Sequence, residues 1–223
     1  NHRIVLFPEV GNFPVRRNCP DGSSEEKFFQ YMKNNNLIAY PHHEVWEFLD
    51  LNKERVVEVC SGWYDHLKQP EKSLALKELM KGRKFGFIGN SDGHRAVPGH
   101  GGGLTGYYAS ELTREAIFEA IWNRRTIATT GRKVNLWITV SGKMPGSINK
   151  IENYPEIDIE IKSPVLIESI KLYRNNNIIY EEKIDNDYYK NKIMDRNISR
   201  NKEYFYWAVV DVKGNGKNYP HNV

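Results

Sequence analysis

The chain has little cysteine: Cys19 and Cys60 are far apart and outside any CxxC spacing. Neither a disulfide framework nor a zinc knuckle is therefore indicated, and the redox compartment stays open. A long apolar run is also missing, since nothing approaches the roughly 20 consecutive apolar residues of a membrane span. So is a compact Lys/Arg block. The net charge of +4 arises from 32 basic and 28 acidic residues scattered over Lys-rich loops, which describes a solvated surface better than a nucleic-acid footprint. The first residue is Asn1, and the apolar opening Ile4-Val5-Leu6-Phe7 is far too short for a signal sequence, so further sequence is expected upstream. What is present is the composition of a soluble globular protein, 39% hydrophobic and 27% charged, long enough for one large domain or two modest ones.

From Arg3 to about Gly131 short apolar runs alternate with amphipathic stretches, the pattern of βα units around a parallel sheet. Arg3 to Phe7, Leu37 to Tyr40, Val56 to Val59 and Phe85 to Ile88 read as strands. Ser23 followed by Glu26 reads as a capping box opening a helix that stops at Asn34-Asn35-Asn36. Helices also fit Glu44 to Leu51, Glu71 to Lys81 closed by Gly82, and a stretch from Thr113 that buries Ile117, Ala120 and Ile121 and ends on Arg124 and Arg125. The expected class up to residue 131 is α/β.

After Gly131 the period changes to alternating strands: Val134 to Val140, Ile157 to Ile161, Ile167 to Tyr173, Ile178 to Ile184 and Tyr204 to Val212. Turns are expected at Ser141-Gly142, Arg174-Asn175-Asn176-Asn177 and Asp185-Asn186-Asp187. Residues 132–223 therefore read as a small all-β, sandwich-like domain following a first domain over 1–131.

In α/β folds functional side chains gather beyond the C-terminal ends of parallel strands, where the loops converge. Pro41-His42-His43 follows the strand ending at Tyr40, Glu58 lies near the end of the next, and Ser91-Asp92-Gly93-His94 follows the strand ending near Gly89. An Asp-x-His on such a turn can aim a hard carboxylate and an imidazole at one cation, and a second imidazole from a neighbouring strand end extends a mixed N/O shell. The bland reading makes His42 and His43 a helix-start pair and Asp92 a turn former. Agreement of three separate motifs with the strand-end rule favours the site. The run Gly99-His100-Gly101-Gly102-Gly103 lacks the Lys-Ser/Thr of a phosphate loop and reads as a mobile loop over the site. Cys60 and Ser61 have no base at fixed spacing, so covalent catalysis is disfavoured, and Cys60 reads as a small buried hydrophobe.

The ordered series Gly89-Asn90-Ser91-Asp92-Gly93-His94, Pro98-Gly99, Ala109-Ser110-Glu111-Leu112-Thr113-Arg114-Glu115-Ala116-Ile117 and Arg124-Arg125-Thr126-Ile127-Ala128-Thr129-Thr130-Gly131 resembles the PHP (polymerase and histidinol phosphatase) superfamily. The likeness is to the branch that includes the CehA/McbA-type metallohydrolases and a related uncharacterised branch. His2-Arg3, Pro41-His42-His43 and Val57-Glu58-Val59 fit it in the same order. The stretch with Gly142 and Met144 to Gly146 resembles that branch's β-rich tail.

The resemblance implies the C-terminal part of a distorted (β/α)7 barrel whose strand ends hold divalent metals, Mn, Fe or Zn, with metal-activated water attacking an ester-type bond, phosphoester or carboxylic/carbamate ester. Carried over by residue, it implies Asp92 and His94 as catalytic residues and metal ligands. It adds His42 or His43 as the preceding histidine ligand and His2 as a further one. Glu58, His66 and His100 are expected in the substrate cleft. The family's HxH half is absent from this chain, and Trp63-Tyr64-Asp65-His66 stands where a His-Gly is usual. The chain alone is thus expected to hydrolyse slowly, with a missing N-terminal half or a partner covering an open sheet edge near Arg3 to Phe7. The implied partner is a small-molecule ester, with no membrane and no nucleic acid. A non-catalytic reading competes: Tyr188, Tyr189, Tyr204, Tyr206 and Trp207 could recognise a polymer such as glycan beside a vestigial metal site, although a sheet core needs the same aromatics.

Overall fold

A computed structural model describes residues 2–9, 24–42, 52–93, 99, 102–199 and 201–214. Its first strand, β1 (His2–Leu6), pairs antiparallel with β2 (Ile38–His42), so that His2 stands opposite His42. Between them runs α1 (Glu25–Asn34), capped by the Ser24 hydroxyl, which accepts the Lys27 N–H at 3.2 Å. The cap is Ser24, one residue beyond the expected Ser23, and Glu25 and Glu26 suit the positive first turn. Met32 of α1 packs on Leu37 and Ala39, closing the helix onto the start of β2.

β3 (Val56–Cys60) and β4 (Gly86–Gly89) pair in parallel, joined through the turn Pro70–Lys72 and α2 (Leu74–Met80). α2 is shorter than expected because Ser73 is its N-cap, accepting the Leu76 N–H at 3.4 Å. β5 (Leu104–Tyr107) pairs antiparallel with β6 (Thr126–Thr129) around α3 (Arg114–Trp122), whose N-cap is Thr113. β2 lies beside β3, and β4 beside β6. Ile121 of α3 packs into a core with Ile38, Tyr40, Val56 and Ile88; burying each large aliphatic contributes roughly 1.5–3 kcal/mol. The Arg55 guanidinium ends this helix, donating to the Trp122 carbonyl at 2.7 Å and lying over the Trp122 ring. Arg3 and Glu54 form a buried ion pair at 2.8 Å that ties β1 to the segment leading into β3.

The remaining strands, β7 (Asn135–Val140), β8 (Glu156–Arg174), β9 (Asn177–Met194) and β10 (Tyr206–Val212), make one four-stranded antiparallel sheet. β9 pairs with β8 along its length, and β7 and β10 occupy successive halves of the opposite edge of β8. Ile157, Ile159 and Ile161 face the core with Leu136, Ile138 and Val140 of β7. Register shifts between Lys162 and Ser169 then change which residues face inward, so Ile170 and Leu172 continue the same core. On the opposite face Lys190 and Lys192 pair with Glu160 and Glu156.

Three expectations are corrected. The first region is not an α/β (β/α)7 barrel: its described strands form two-stranded sheets, only β3 and β4 pair in parallel, and no sheet among the described residues closes on itself. The chain is mostly β, with three helices among the described residues. The apolar runs fixed where strands lie but not their direction, because a four- or five-residue buried run looks alike in either pairing. Second, the described strands of the β-rich region form one sheet and not two facing sheets. The runs at 157–161 and 167–173 belong to the single strand β8, carried across the gap by bulges. Third, Asp185-Asn186-Asp187 is not a hairpin turn; β9 continues through it while the Asn186 carboxamide accepts the Asp187 and Tyr188 N–H groups. The expected turns at Ser141-Gly142 and Asn175-Asn176 are present, with Ser141, Gly142 and Asn175 in the left-handed region. The expected helix at 44–51 lies outside the described residues.

The two regions share contacts. Leu76, Tyr173 and Trp207 form one buried cluster, Arg124 donates twice to the Gly146 carbonyl at 2.7 and 3.1 Å, and the Tyr108 hydroxyl donates to the Leu136 carbonyl.

Candidate functional site

β2 ends at His42, β3 carries Glu58 and β4 ends at Gly89, and all three feed one cleft of about 380 Å³. Its polar end holds Tyr40, His42, Glu58, Asn90 and Asp92, and Ile4, Leu104 and Tyr107 give it an apolar wall. Glycine backbone brings the 102–103 segment close: a Cβ on Gly103 would stand 2.8 Å from the Asn90 backbone.

Glu58 is fully buried. A buried carboxylate needs partners on both oxygens, and it has them. Oε1 accepts from the Tyr64 hydroxyl; Oε2 accepts from Asn90 Nδ2 at 2.5 Å and faces His42 Nδ1 at 2.9 Å. A carboxylate facing Nδ1 places the imidazole hydrogen there and leaves a lone pair on Nε2. That nitrogen stands 3.5 Å from Asp92 Oδ1. Asp92 adopts the left-handed region, φ 47°, which Asp tolerates better than most residues. Its carbonyl accepts the Trp63 indole N–H at 3.4 Å. Asn90 also donates to the Tyr40 hydroxyl at 3.3 Å. Burial raises the Tyr40 phenol above its ordinary value, opposed by the Asn90 hydrogen bond and reinforced by the Glu58 charge, so Tyr40 is a neutral hydroxyl at physiological pH.

Of the residues singled out from sequence, the structure brings together His42, Glu58 and Asp92. His66 stands behind Tyr64, ring centroids 4.3 Å apart, and does not line the cleft. His43, His94 and His100 lie outside the described residues, as does the side chain of His2, whose backbone pairs opposite His42. Sequence reasoning assigned no role to Tyr40, Tyr64 or Asn90. Asn90 directly follows β4, so the strand-end rule itself could have found it. Tyr64 gave no such signal, since it reaches Glu58 from a loop.

Among the described residues, no group of three or more His, Cys, Asp or Glu side chains is placed to hold a metal ion. His42 Nε2 and Asp92 Oδ1 nevertheless fit as two donors to one ion. Two bonds of roughly 2.0–2.2 Å at a tetrahedral angle put their donor atoms about 3.4 Å apart. Cys60 is no nucleophile here: its thiol donates to the Thr129 carbonyl at 3.3 Å, and burial pushes its pKa up to about 12. The aromatics of the β-rich region are engaged separately. Trp207 is buried against Tyr173, the Tyr206 hydroxyl donates to Asp195, Tyr189 donates to Glu182, Tyr204 lies under Arg174, and Tyr188 lies beneath Lys162.

No family model matches the chain, and no solved structure matches it. The chain is similar to a protein of Chlamydia pneumoniae described as an uncharacterised protein, 21% identical over 191 residues, a match covering 69% of this chain and 31% of that protein. The chain thus spans less than a third of the length of this curated relative.

Proposed function

We propose that the chain carries part of the active site of a divalent-metal-dependent hydrolase of ester-type bonds, with His42 and Asp92 as ligands. The observation that carries the reading is the pair His42 Nε2 and Asp92 Oδ1, 3.5 Å apart at the polar end of a cleft. With Nδ1 committed to Glu58, both facing atoms bear lone pairs, and two acceptors at this distance call for a cation between them. The motif series from Gly89 to Gly131 supports the same reading. A bound divalent ion supplies Lewis acidity that lowers the pKa of water toward neutrality.

The chain's own residues divide the remaining work. Glu58 holds the imidazole hydrogen on Nδ1, so that Nε2 stays an electron-pair donor. The neutral Tyr40 hydroxyl and the Asn90 carboxamide offer hydrogen bonds inside the cleft. Ile4 and Leu104 give the cleft an apolar flank. The alternative cation is a proton, which would make His42 an imidazolium between two carboxylates. Titration calorimetry with Mn²⁺, Fe²⁺ and Zn²⁺ separates the two. Saturable binding to the wild-type chain that Asp92→Asn weakens at least tenfold is the expected result; absence of saturable binding of any of the three overturns the metal reading.

A further inference from the structure

We propose that Tyr64 and Asn90 are positioning residues that fix the ring of His42 by pinning both oxygens of Glu58. The inference rests on the reading of His42 as a ligand, but its geometry stands on separate observations. A carboxylate held through one oxygen can still swing about its Cγ–Cδ bond. Glu58 is held through both, by donors from two different loops: the Tyr64 hydroxyl on Oε1 and Asn90 Nδ2 on Oε2, beside His42 Nδ1.

Each donor is anchored by its own backbone. The Tyr64 carbonyl accepts the Ser61 N–H at 2.9 Å, closing the loop after β3, and the adjacent Asp65 bridges to Cys60. The Asn90 N–H bonds the Cys60 carbonyl at 3.1 Å, and Asn90 lies against the backbone at Gly103. Cys60 thus anchors both loops. The carboxylate plane is set from two loops tied by these backbone bonds, the His42 Nδ1–H follows it, and Nε2 is left aimed at Asp92. Loss of either donor frees the carboxylate to turn, and the imidazole then has more than one orientation and tautomer. Removing the outer partner of a metal-binding histidine, here Glu58, costs about 10- to 100-fold in metal affinity, and loss of a donor that holds Glu58 falls at the lower end of that range.

The test uses the full chain as wild type, Tyr64→Phe and Asn90→Leu, the first of which removes a single oxygen. Long-range ¹H–¹⁵N NMR of the histidine ring nitrogens, in the metal-free protein at mildly alkaline pH, reads the His42 tautomer directly. Mn²⁺ titration of the same samples reads affinity. The expected result is a single Nδ1–H tautomer in the wild type, mixed tautomers in both variants and Mn²⁺ affinity about tenfold lower. A wild-type tautomer spectrum in both variants overturns the proposal even if Mn²⁺ binding falls, because weaker binding without a reoriented ring is a general structural effect. Mixed tautomers in the variants alongside a wild type that binds no Mn²⁺ uphold the positioning role and remove the metal reading alone.

Discussion

Replacing Glu54 with leucine takes away the carboxylate that faces the Arg3 guanidinium, whose side chain is 5% exposed, and puts an apolar group in its place. At 2.8 Å and an effective dielectric of about 20, the gross attraction between the two charges is about 6 kcal/mol. Desolvation offsets most of that, so the intact pair contributes little relative to an apolar pair of similar size. Removing one partner is different, because the guanidinium stays buried after losing the carboxylate that faces it, at a cost of about 3–5 kcal/mol. The bond links β1 to the segment before β3, so the loss falls on the attachment of the β1/β2 sheet. Urea unfolding followed by circular dichroism measures it. Glu54→Leu should lower the unfolding free energy by about 3–5 kcal/mol, and the double variant Arg3→Met/Glu54→Leu should recover to within about 1 kcal/mol of wild type. A Glu54→Leu protein within about 0.5 kcal/mol of wild type, or a double variant as damaged as the single, would refute the reasoning.

Further outcomes follow from other contacts. His42→Ala should reduce Mn²⁺ affinity at least tenfold, read by calorimetry; unaltered affinity removes His42 from the ligand set. In a Cys19→Ser background, the Cys60 thiol should resist alkylation by iodoacetamide at pH 8 until the protein is unfolded, because the thiolate is the reactive form and its folded pKa lies near 12. Since that pKa is raised from 9.0 to about 12, the unfolded chain releases this proton first. The Cys60 contribution to stability is therefore complete below pH 9 and declines as pH rises toward 12, which unfolding curves across that window can check against Cys60→Ala. Gly89→Ala should cost about 1–3 kcal/mol, since its Cβ would meet Cys60 Sγ at 2.8 Å and the Leu104 and Thr129 carbonyl oxygens at 2.9 Å; a neutral effect on the melting temperature would show that β4 can shift.

Much of the local structure was legible in the sequence. The strands at 38–42, 56–60 and 86–89 and the helix after Thr113 fall where apolar periodicity and capping residues placed them. Direction was not legible, because the residues that decide whether two short buried strands run parallel or antiparallel lie far apart in the chain. In β8, Ser163-Pro164 interrupts the alternation, and bulges that carry a strand through such a break leave no distinct mark in the residue pattern. His42, Glu58 and Asp92 were visible as strand-end polar residues. Tyr64 was not, since its part depends on where its hydroxyl ends, and that is set by the fold of the loop between Ser61 and Tyr64.

The long β8/β9 pair also has a consequence for the order of assembly. Its two strands are joined at Asn175-Asn176, so the first contacts to form are separated by only a few residues and carry a small loop-closure entropy. β7 and β10 come from either side of this hairpin in the chain and add to the same free edge of β8, one half each. The hairpin thus acts as a template on which two distant segments are recruited end to end. A slip in its register would turn the whole of β9 to the wrong face of the sheet on which both are assembled, which makes the turn at Asn175 the point where a local error becomes a global one.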